Sequence, residues 1–309
     1  MEFFIALIVH GLFVGSTYAL LALGYSMVYG VLGLINFAHG DVLMLGTLVC
    51  YSTIQTISKV FPSMPHGANL TISILISMIV SGAIGAIVEL LAYRRVREAS
   101  SLVCLSTAIG TSIILQSIAM IIWGRDYFKF PQYISMENVN FLGLSAQFSQ
   151  LVTIVTAAII MVMLWIFVRK TRMGLSIRAV SEKSKIAELM GINSNEVISV
   201  TFIIGSALAA VSGIMLSSNY GIAHYNMGFM PGVKAFTAAV LGGIGSIPGS
   251  MIGGILLGVI ESLSTGYIAT WTNGILNSNY QNVFSFVILV VVLLVRPNGL
   301  FGTNNPDRA

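Results

Sequence analysis

The stretch "GLINFAHGD" places three different polar groups, Asn36, His39 and Asp41, between segments of almost continuous hydrocarbon. An amide and an imidazole can hydrogen-bond backbone groups left unpaired at a break in a helix. In one interpretation Gly40 allows the chain to turn, and Asp41 caps a helix that starts at Val42. In the other, the stretch is part of the inner gate of a pathway, since irregular backbone at membrane depth persists only beside protein or water.

A second stretch, "GGIGSIPGS", contains Pro248 and Gly249 and interrupts the C-terminal half of the chain. Paired Gly/Pro interruptions in two halves of a membrane protein indicate a transport pathway. Both residues therefore join Asn36, His39, Gly40 and Asp41 as candidates for a translocation path or gate.

Glu261 is the remaining candidate for that path, because it lies within an apolar segment. An ionised carboxylate facing lipid would cost several kcal/mol, so Glu261 should face the protein interior and be paired or protonated. A role in packing and a role in transport both remain open. We expect Lys234 to lie at the outer interface and Glu89 to extend towards the inner surface.

The elements that position these residues are predicted to be membrane-spanning helices. Charged residues make up 8% of the chain against about a quarter in soluble domains, and apolar residues make up 56%. Several runs approach the roughly 20 apolar residues that a spanning helix needs. The sequence predicts one transmembrane domain, residues 1–309. The predicted spans cover residues 4–29, 42–57, 70–92, 102–123, 151–168, 198–218, 236–247, 251–267 and 283–295.

Basic residues predict the orientation of these spans. Eleven of the 15 Lys and Arg residues fall in residues 94–97, in residues 169–185 and after the last span. Such clusters are typical of cytoplasmic loops and do not indicate nucleic-acid binding. We expect the N-terminus outside and the C-terminus in the cytoplasm, which requires the short seventh span to cross completely.

The cytoplasmic loop, residues 169–197, contains a short amphipathic helix that Ser181 caps and Gly191 ends. Asn193 caps the helix that follows. The short helix either docks into a groove on another protein or lies on the lipid surface. Its apolar stripe is three residues wide, which favours the groove, and consists of Ile186, Leu189 and Met190.

Four motifs occur in order along the chain: "GLINFAHGDVLMLG", "IRAVSEKSKIAELMGIN", "GFMPGVKAFTAAVLGGIGSIPGSMIGGILLG" and "RPNGLFG". Together they resemble the branched-chain amino-acid permeases of ATP-binding-cassette importers, in particular the first of two paralogous permease subunits. The resemblance implies an all-α polytopic fold of about 8–10 transmembrane helices with a cytoplasmic coupling helix. By position, the ATPase-coupling residues are Glu182, Ile186, Ala187, Leu189, Met190 and Gly191.

The same resemblance implies an assembly in a bacterial cytoplasmic membrane. Its partners are a second paralogous permease in a heterodimer, two ATP-binding subunits and a periplasmic or extracellular solute-binding protein. ATP and Mg²⁺ are expected in the ATP-binding subunits, with no cofactor in this chain, because the sequence has no G-x-x-x-x-G-K-[ST] phosphate loop.

The expected solute is a branched-chain amino acid, urea or a short amide, and no covalent chemistry is expected. The alternative is an ion-coupled secondary transporter or channel that works alone and uses Glu261 or Asp41 as a proton site.

Overall fold

The computed structural model describes residues 2–141, 144–272, 280–296 and 298–302. Its dominant elements are helices, because a chain in lipid must pair its backbone groups internally. The helices are α1 (Glu2–Leu32), α2 (His39–Val60), α3 (His66–Val88), a π-helix (Glu89–Tyr93), α4 (Arg94–Val96), α5 (Ser101–Trp123), α6 (Phe148–Lys170), α7 (Arg172–Leu189), α8 (Ser194–Tyr220), α9 (Phe229–Gly242), α10 (Ile247–Trp271) and α11 (Gln281–Val295). The strands are β1 (Phe128–Lys129), β2 (Asn138–Phe141), β3 (Leu144–Gln147) and β4 (Ile222–Ala223).

Six helices within the described residues are long and apolar enough to cross a membrane, and α9 and α11 are shorter apolar helices. The predicted all-α polytopic class is confirmed. The limits of the seventh predicted span, residues 236–247, are wrong. Its helix, α9, begins at Phe229 and ends at Gly242, because Gly243 has a φ of 105° that interrupts the helix.

Helices α1 and α10 pack closely along a seam of glycines. A Cβ atom on Gly11 would lie 2.7 Å from the Cα of Val259, and one on Gly15 would lie 2.8 Å from the Cα of Ile255. Across the seam, Gly258 packs against the backbone of Gly15. Small residues let helix backbones approach where lipid supplies no hydrophobic drive for association. These glycines therefore serve the close packing of α1 against α10.

The bundle has two ends. One end, called the α7 face, consists of α7, the start of α8 and residues 243–246. The segment after α11, residues 298–302, also packs there. There the backbone N–H groups of Leu300 and Phe301 donate to the carbonyls of Leu241 and Gly242 at 2.9 and 3.0 Å. At the opposite face β1 pairs with β4, and β2 pairs with β3. The C-terminus itself, within residues 303–309, lies outside the described residues.

Helix α2 begins inside the bundle. The imidazole of His39, the first residue of α2, packs against Gly24, about two turns before the end of α1. It also approaches Gly205, about three turns after the start of α8. These positions place the start of α2 about 11–16 Å in from the α7 face. His39 and Asp41 therefore lie inside the bundle and not at the α7 face.

Helix α9 begins beside the start of α2 and runs towards the α7 face. A Cβ atom on Gly40 would lie 2.6 Å from the carbonyl oxygen of Gly228, directly before α9. With 14 residues, α9 is about 21 Å long and too short for a complete crossing. Helix α9 therefore does not cross alone: residues 221–228 provide the rest of the path from the opposite face, and the chain passes between the two faces as the sequence predicted.

Candidate functional site

Asn36 is buried in the connection between α1 and α2 and is held by the π-helix that follows α3. The hydroxyl of Tyr93, in the π-helix, donates to Oδ1 of Asn36 at 2.8 Å. The same π-helix contains Glu89, whose carboxylate pairs with Arg94 at 2.9 Å and accepts from the Ser199 hydroxyl at 2.8 Å. The expectation that Glu89 extends to the surface is wrong, because this residue is 1% exposed.

His39 packs in the interior, between α1 and α8. Its ring meets the ring of Tyr25 edge-on, with 4.8 Å between centroids. Its Nε2 is buried and has no hydrogen-bond partner within the part of the chain that the structure describes. Gly24 provides the space, because a Cβ atom there would collide with the imidazole. The His39 imidazole therefore occupies the space that Gly24 and Gly205 leave between α1 and α8.

Gly40 and Asp41 do not play the local roles predicted for them. Helix α2 starts at His39, and its N-cap residue, Ala38, makes no side-chain cap. Gly40 therefore lies within the first turn, where its lack of a side chain permits the contact with Gly228. The Asp41 carboxylate is 2% exposed and accepts a hydrogen bond from Nε2 of Gln116 at 2.9 Å.

A cavity of about 90 Å³, called the mid-depth cavity, lies where α2, α5 and α9 meet. Its polar lining comes from Asp41, Ser112 and Tyr25. Ile109 on α5 and Phe229 on α9 also line it, and they are 47% and 54% exposed. The cavity therefore reaches the bundle surface between α5 and α9.

Glu261 forms a separate polar cluster about four turns after the start of α10. Its Oε1 accepts from Nζ of Lys234 at 2.7 Å and from the Tyr18 hydroxyl at 3.3 Å. The Ser285 hydroxyl donates to Oε2 at 2.8 Å, and the Gln281 amide also donates to this carboxylate. The expectation that Glu261 faces the interior and is paired is confirmed.

The interfacial position expected for Lys234 is wrong, because this residue is 6% exposed. Its ammonium is drawn inside by Glu261, to which it is joined by a buried ion pair. Lys234, Tyr18 and Gln281 also line a larger cavity of about 310 Å³ near the opposite face.

Pro248 and Gly249 lie in the first turn of α10, at the α7 face. Pro248 lies in the first turn of α10, and the Ser246 hydroxyl caps this helix by accepting from the N–H of Gly249 at 3.2 Å. The structure therefore brings Gly40 and Asp41 together with the start of α9, but not with Pro248, Gly249 or Glu261.

Sequence reasoning missed Gln116, the partner of Asp41. Gln116 is an amide within the apolar run of α5, and polar groups inside such runs mark interior contacts. That signal was present in the sequence.

Helix α7 is longer than the predicted coupling helix. It begins at Arg172 and bends at Lys183, whose φ and ψ of −151° and 98° are not helical. The Ser181 cap is wrong, because its hydroxyl donates to the carbonyl of Ile177 within the helix. The turn after α7 follows the prediction: Gly191 has a φ of 83°, and the Asn193 side chain caps α8.

The predicted coupling residues divide into exposed and buried members. Ile186, Leu189 and Met190 are 54%, 86% and 79% exposed. Ala187 is 4% exposed, and its carbonyl accepts from the N–H of Ile192 as part of the turn. Glu182 lies in the exposed part of α7, just before its bend. The open apolar surface therefore consists of Ile186, Leu189 and Met190, and its role in coupling stays a prediction.

Known proteins match this chain over nearly its whole length. The family model described as "Branched-chain amino acid transport system / permease component" matches residues 7–293. The high-affinity branched-chain amino acid transport system permease protein LivH of Escherichia coli strain K12 is 42% identical, over 97% of this chain and 96% of its own length. The corresponding protein BraD of Pseudomonas aeruginosa is 40% identical, over 96% and 94%. A probable LivH of Methanocaldococcus jannaschii is 28% identical, over 92% and 88%.

Proposed function

The chain belongs to the permease components of branched-chain amino acid transport systems, and from this premise we propose that it is one of two paralogous permease subunits of an ATP-binding-cassette importer. It is a multi-pass membrane protein. In the proposed assembly it forms half of the translocation pathway and performs no covalent chemistry. The membrane is the bacterial cytoplasmic membrane.

The exposed apolar surface at the end of α7 carries this proposal. Ile186, Leu189 and Met190 project from a loop that is rich in basic residues. Three apolar side chains are too few for firm insertion into lipid, whereas a small apolar surface among charges suits a groove on another protein. The basic residues indicate that the α7 face is cytoplasmic, where an ATP-binding subunit would be. We therefore assign the end of α7 to coupling with such a subunit.

The other partners complete the pathway. A second, paralogous permease subunit would lie against this chain in a heterodimer, with the opening of the mid-depth cavity between Ile109 and Phe229 facing the shared pathway. Two ATP-binding subunits would hold ATP and Mg²⁺, and a periplasmic or extracellular binding protein would deliver the solute. This arrangement gives the mid-depth cavity contact with solute and leaves energy input to the α7 face.

The proposed solute is a branched-chain amino acid, in keeping with the names of the relatives. The test begins with purification of the chain from solubilised membranes and identification of the chains that copurify. The complex is then reconstituted in liposomes with its binding protein, and uptake of L-leucine is measured with and without ATP. The proposal requires copurifying ATP-binding subunits and uptake that depends on ATP.

Uptake by this chain alone, driven by an ion gradient, would contradict the proposal. It would identify a secondary transporter or channel instead. In that case Asp41 would be the better proton site, because Glu261 is held in an ion pair with Lys234.

A further inference from the structure

Asp41 differs from the other buried carboxylates of the described chain in having no cation beside it. Glu89 pairs with Arg94, and Glu261 pairs with a lysine. Within the described residues, no Lys, Arg or His nitrogen lies within 4 Å of the Asp41 carboxylate, although this residue is only 2% exposed. Its hydrogen-bond partner is the neutral amide of Gln116. An ionisable group inside a membrane protein without a partner indicates a functional site.

Two helix starts stabilise a negative charge at this place. Asp41 lies in the first turn of α2, and the start of α9 contacts the same turn through Gly228 and Gly40. Each helix N-terminus carries a partial positive charge of about half an elementary charge. Both helix starts therefore favour a negative charge on this carboxylate, and the described residues provide no cation to neutralise it.

The hydrogen bond with Gln116 does not require that charge. An Asn side chain at position 41 would offer the same carbonyl oxygen to the Gln116 amide. The charge on Asp41 is thus unexplained by the packing of α2 against α5.

The mid-depth cavity provides space for a ligand beside the Asp41 carboxylate. Its volume of about 90 Å³ is about three times the roughly 30 Å³ that a water molecule occupies in the liquid. That space accommodates an ammonium group and the carbon atoms next to it. Val233, Ile109 and Phe229 provide apolar surface beside the carboxylate. The cavity thus combines one anionic group with an apolar wall.

We propose that the mid-depth cavity binds the cationic amino group of the passing solute, with Asp41 as its anionic partner. This inference rests on the proposed function and narrows its solute class to molecules with a primary ammonium group. Urea and short amides carry no such cation and would leave the Asp41 carboxylate unpaired. The side chain of a branched-chain amino acid would lie against Val233 and Phe229.

The test compares Asp41→Asn with a matched control, Glu89→Gln, in the reconstituted complex. Asp41→Asn should lower ATP-driven uptake of L-leucine by at least about 10-fold, because a charge-assisted hydrogen bond to the solute is lost. Assembly, melting temperature and hydrolysis stimulated by the binding protein should stay near wild type, since Gln116 keeps its acceptor. Glu89→Gln should lower the melting temperature, because Arg94 loses its partner. Its uptake per assembled complex should stay within about 3-fold of wild type, because Glu89 lies outside the cavity.

Wild-type uptake by the Asp41→Asn complex would overturn the inference, since it would show that a neutral group suffices. Failure of this variant to assemble, or a loss of ATP hydrolysis that parallels the loss of uptake, would overturn it as well by assigning Asp41 a structural or coupling role. Absence of ATP-driven leucine uptake by the wild-type complex would refute the proposed function itself. The wild-type measurement alone therefore separates the two failures.

Discussion

Removing the charge of Lys234 tests the buried ion pair with Glu261 directly. The side chains are 7% and 1% exposed, and Nζ lies 2.7 Å from Oε1. Lys234→Met keeps an unbranched apolar stem but removes the ammonium and leaves the Glu261 carboxylate without a cation. The Tyr18 and Ser285 hydroxyls remain as neutral donors.

The expected loss of stability follows from this geometry. Breaking a buried ion pair by removing one partner costs about 3–5 kcal/mol, because the other charge stays desolvated. The neutral donors that remain around Glu261 place Lys234→Met near the lower end, at about 3 kcal/mol. The double variant, Lys234→Met with Glu261→Gln, removes both charges and should recover to within about 1 kcal/mol of wild type. The coupling energy should therefore be at least about 2 kcal/mol.

The assay is equilibrium unfolding of the purified chain in mixed detergent micelles, followed by circular dichroism across a double-mutant cycle. Lys129→Met serves as the control, because Lys129 is exposed in β1 and its replacement should change stability by no more than about 0.5 kcal/mol. The reasoning fails if Lys234→Met matches this control, or if the double variant is less stable than either single variant.

Three further predictions concern coupling, packing and orientation. Leu189→Asp should abolish solute-stimulated ATP hydrolysis by the assembled complex with membrane insertion intact, and unchanged hydrolysis would contradict docking by α7. Gly258→Ala should destabilise the chain by about 1–3 kcal/mol in the same unfolding assay, because α1 leaves no room for a Cβ, whereas Gly110→Ala, with nothing within 4 Å, should be neutral. A reporter fused after Arg178 should read cytoplasmic and one after Asn277, outside the described residues, should read external; a cytoplasmic signal at Asn277 would refute the orientation.

Local signals in the sequence predicted the helical class and the turn after α7. A bilayer forces backbone pairing within each apolar run, so hydropathy alone was sufficient for the class. Gly191 ends α7 and Asn193 caps α8, as expected. Both roles could be predicted because the left-handed conformation and side-chain capping depend on neighbouring residues alone. The interior position of Glu261 followed from the cost of exposing a carboxylate to lipid.

Partners distant in the chain could not be predicted in the same way. Gln116 is 75 residues from Asp41, and Lys234 is 27 residues from Glu261. Their pairing depends on which helix faces come together, which local patterns do not determine. The start of α2 also follows tertiary contact, because Gly40 must lie within a helical turn to touch the start of α9.

The π-helix Glu89–Tyr93 sets the angular register of the residues that follow it. Its hydrogen bonds reach one residue further than those of an α-helix, so the turn contains one extra residue, equivalent to about 100° of rotation. With that rotation, Arg94 points back to Glu89 while Tyr93 points to Asn36. Deletion of one residue from this turn would rotate both side chains away from their partners, although the hydropathy of α3 would hardly change. The contact between the π-helix and Asn36 therefore depends on the number of residues in the π-helical turn as much as on their identity.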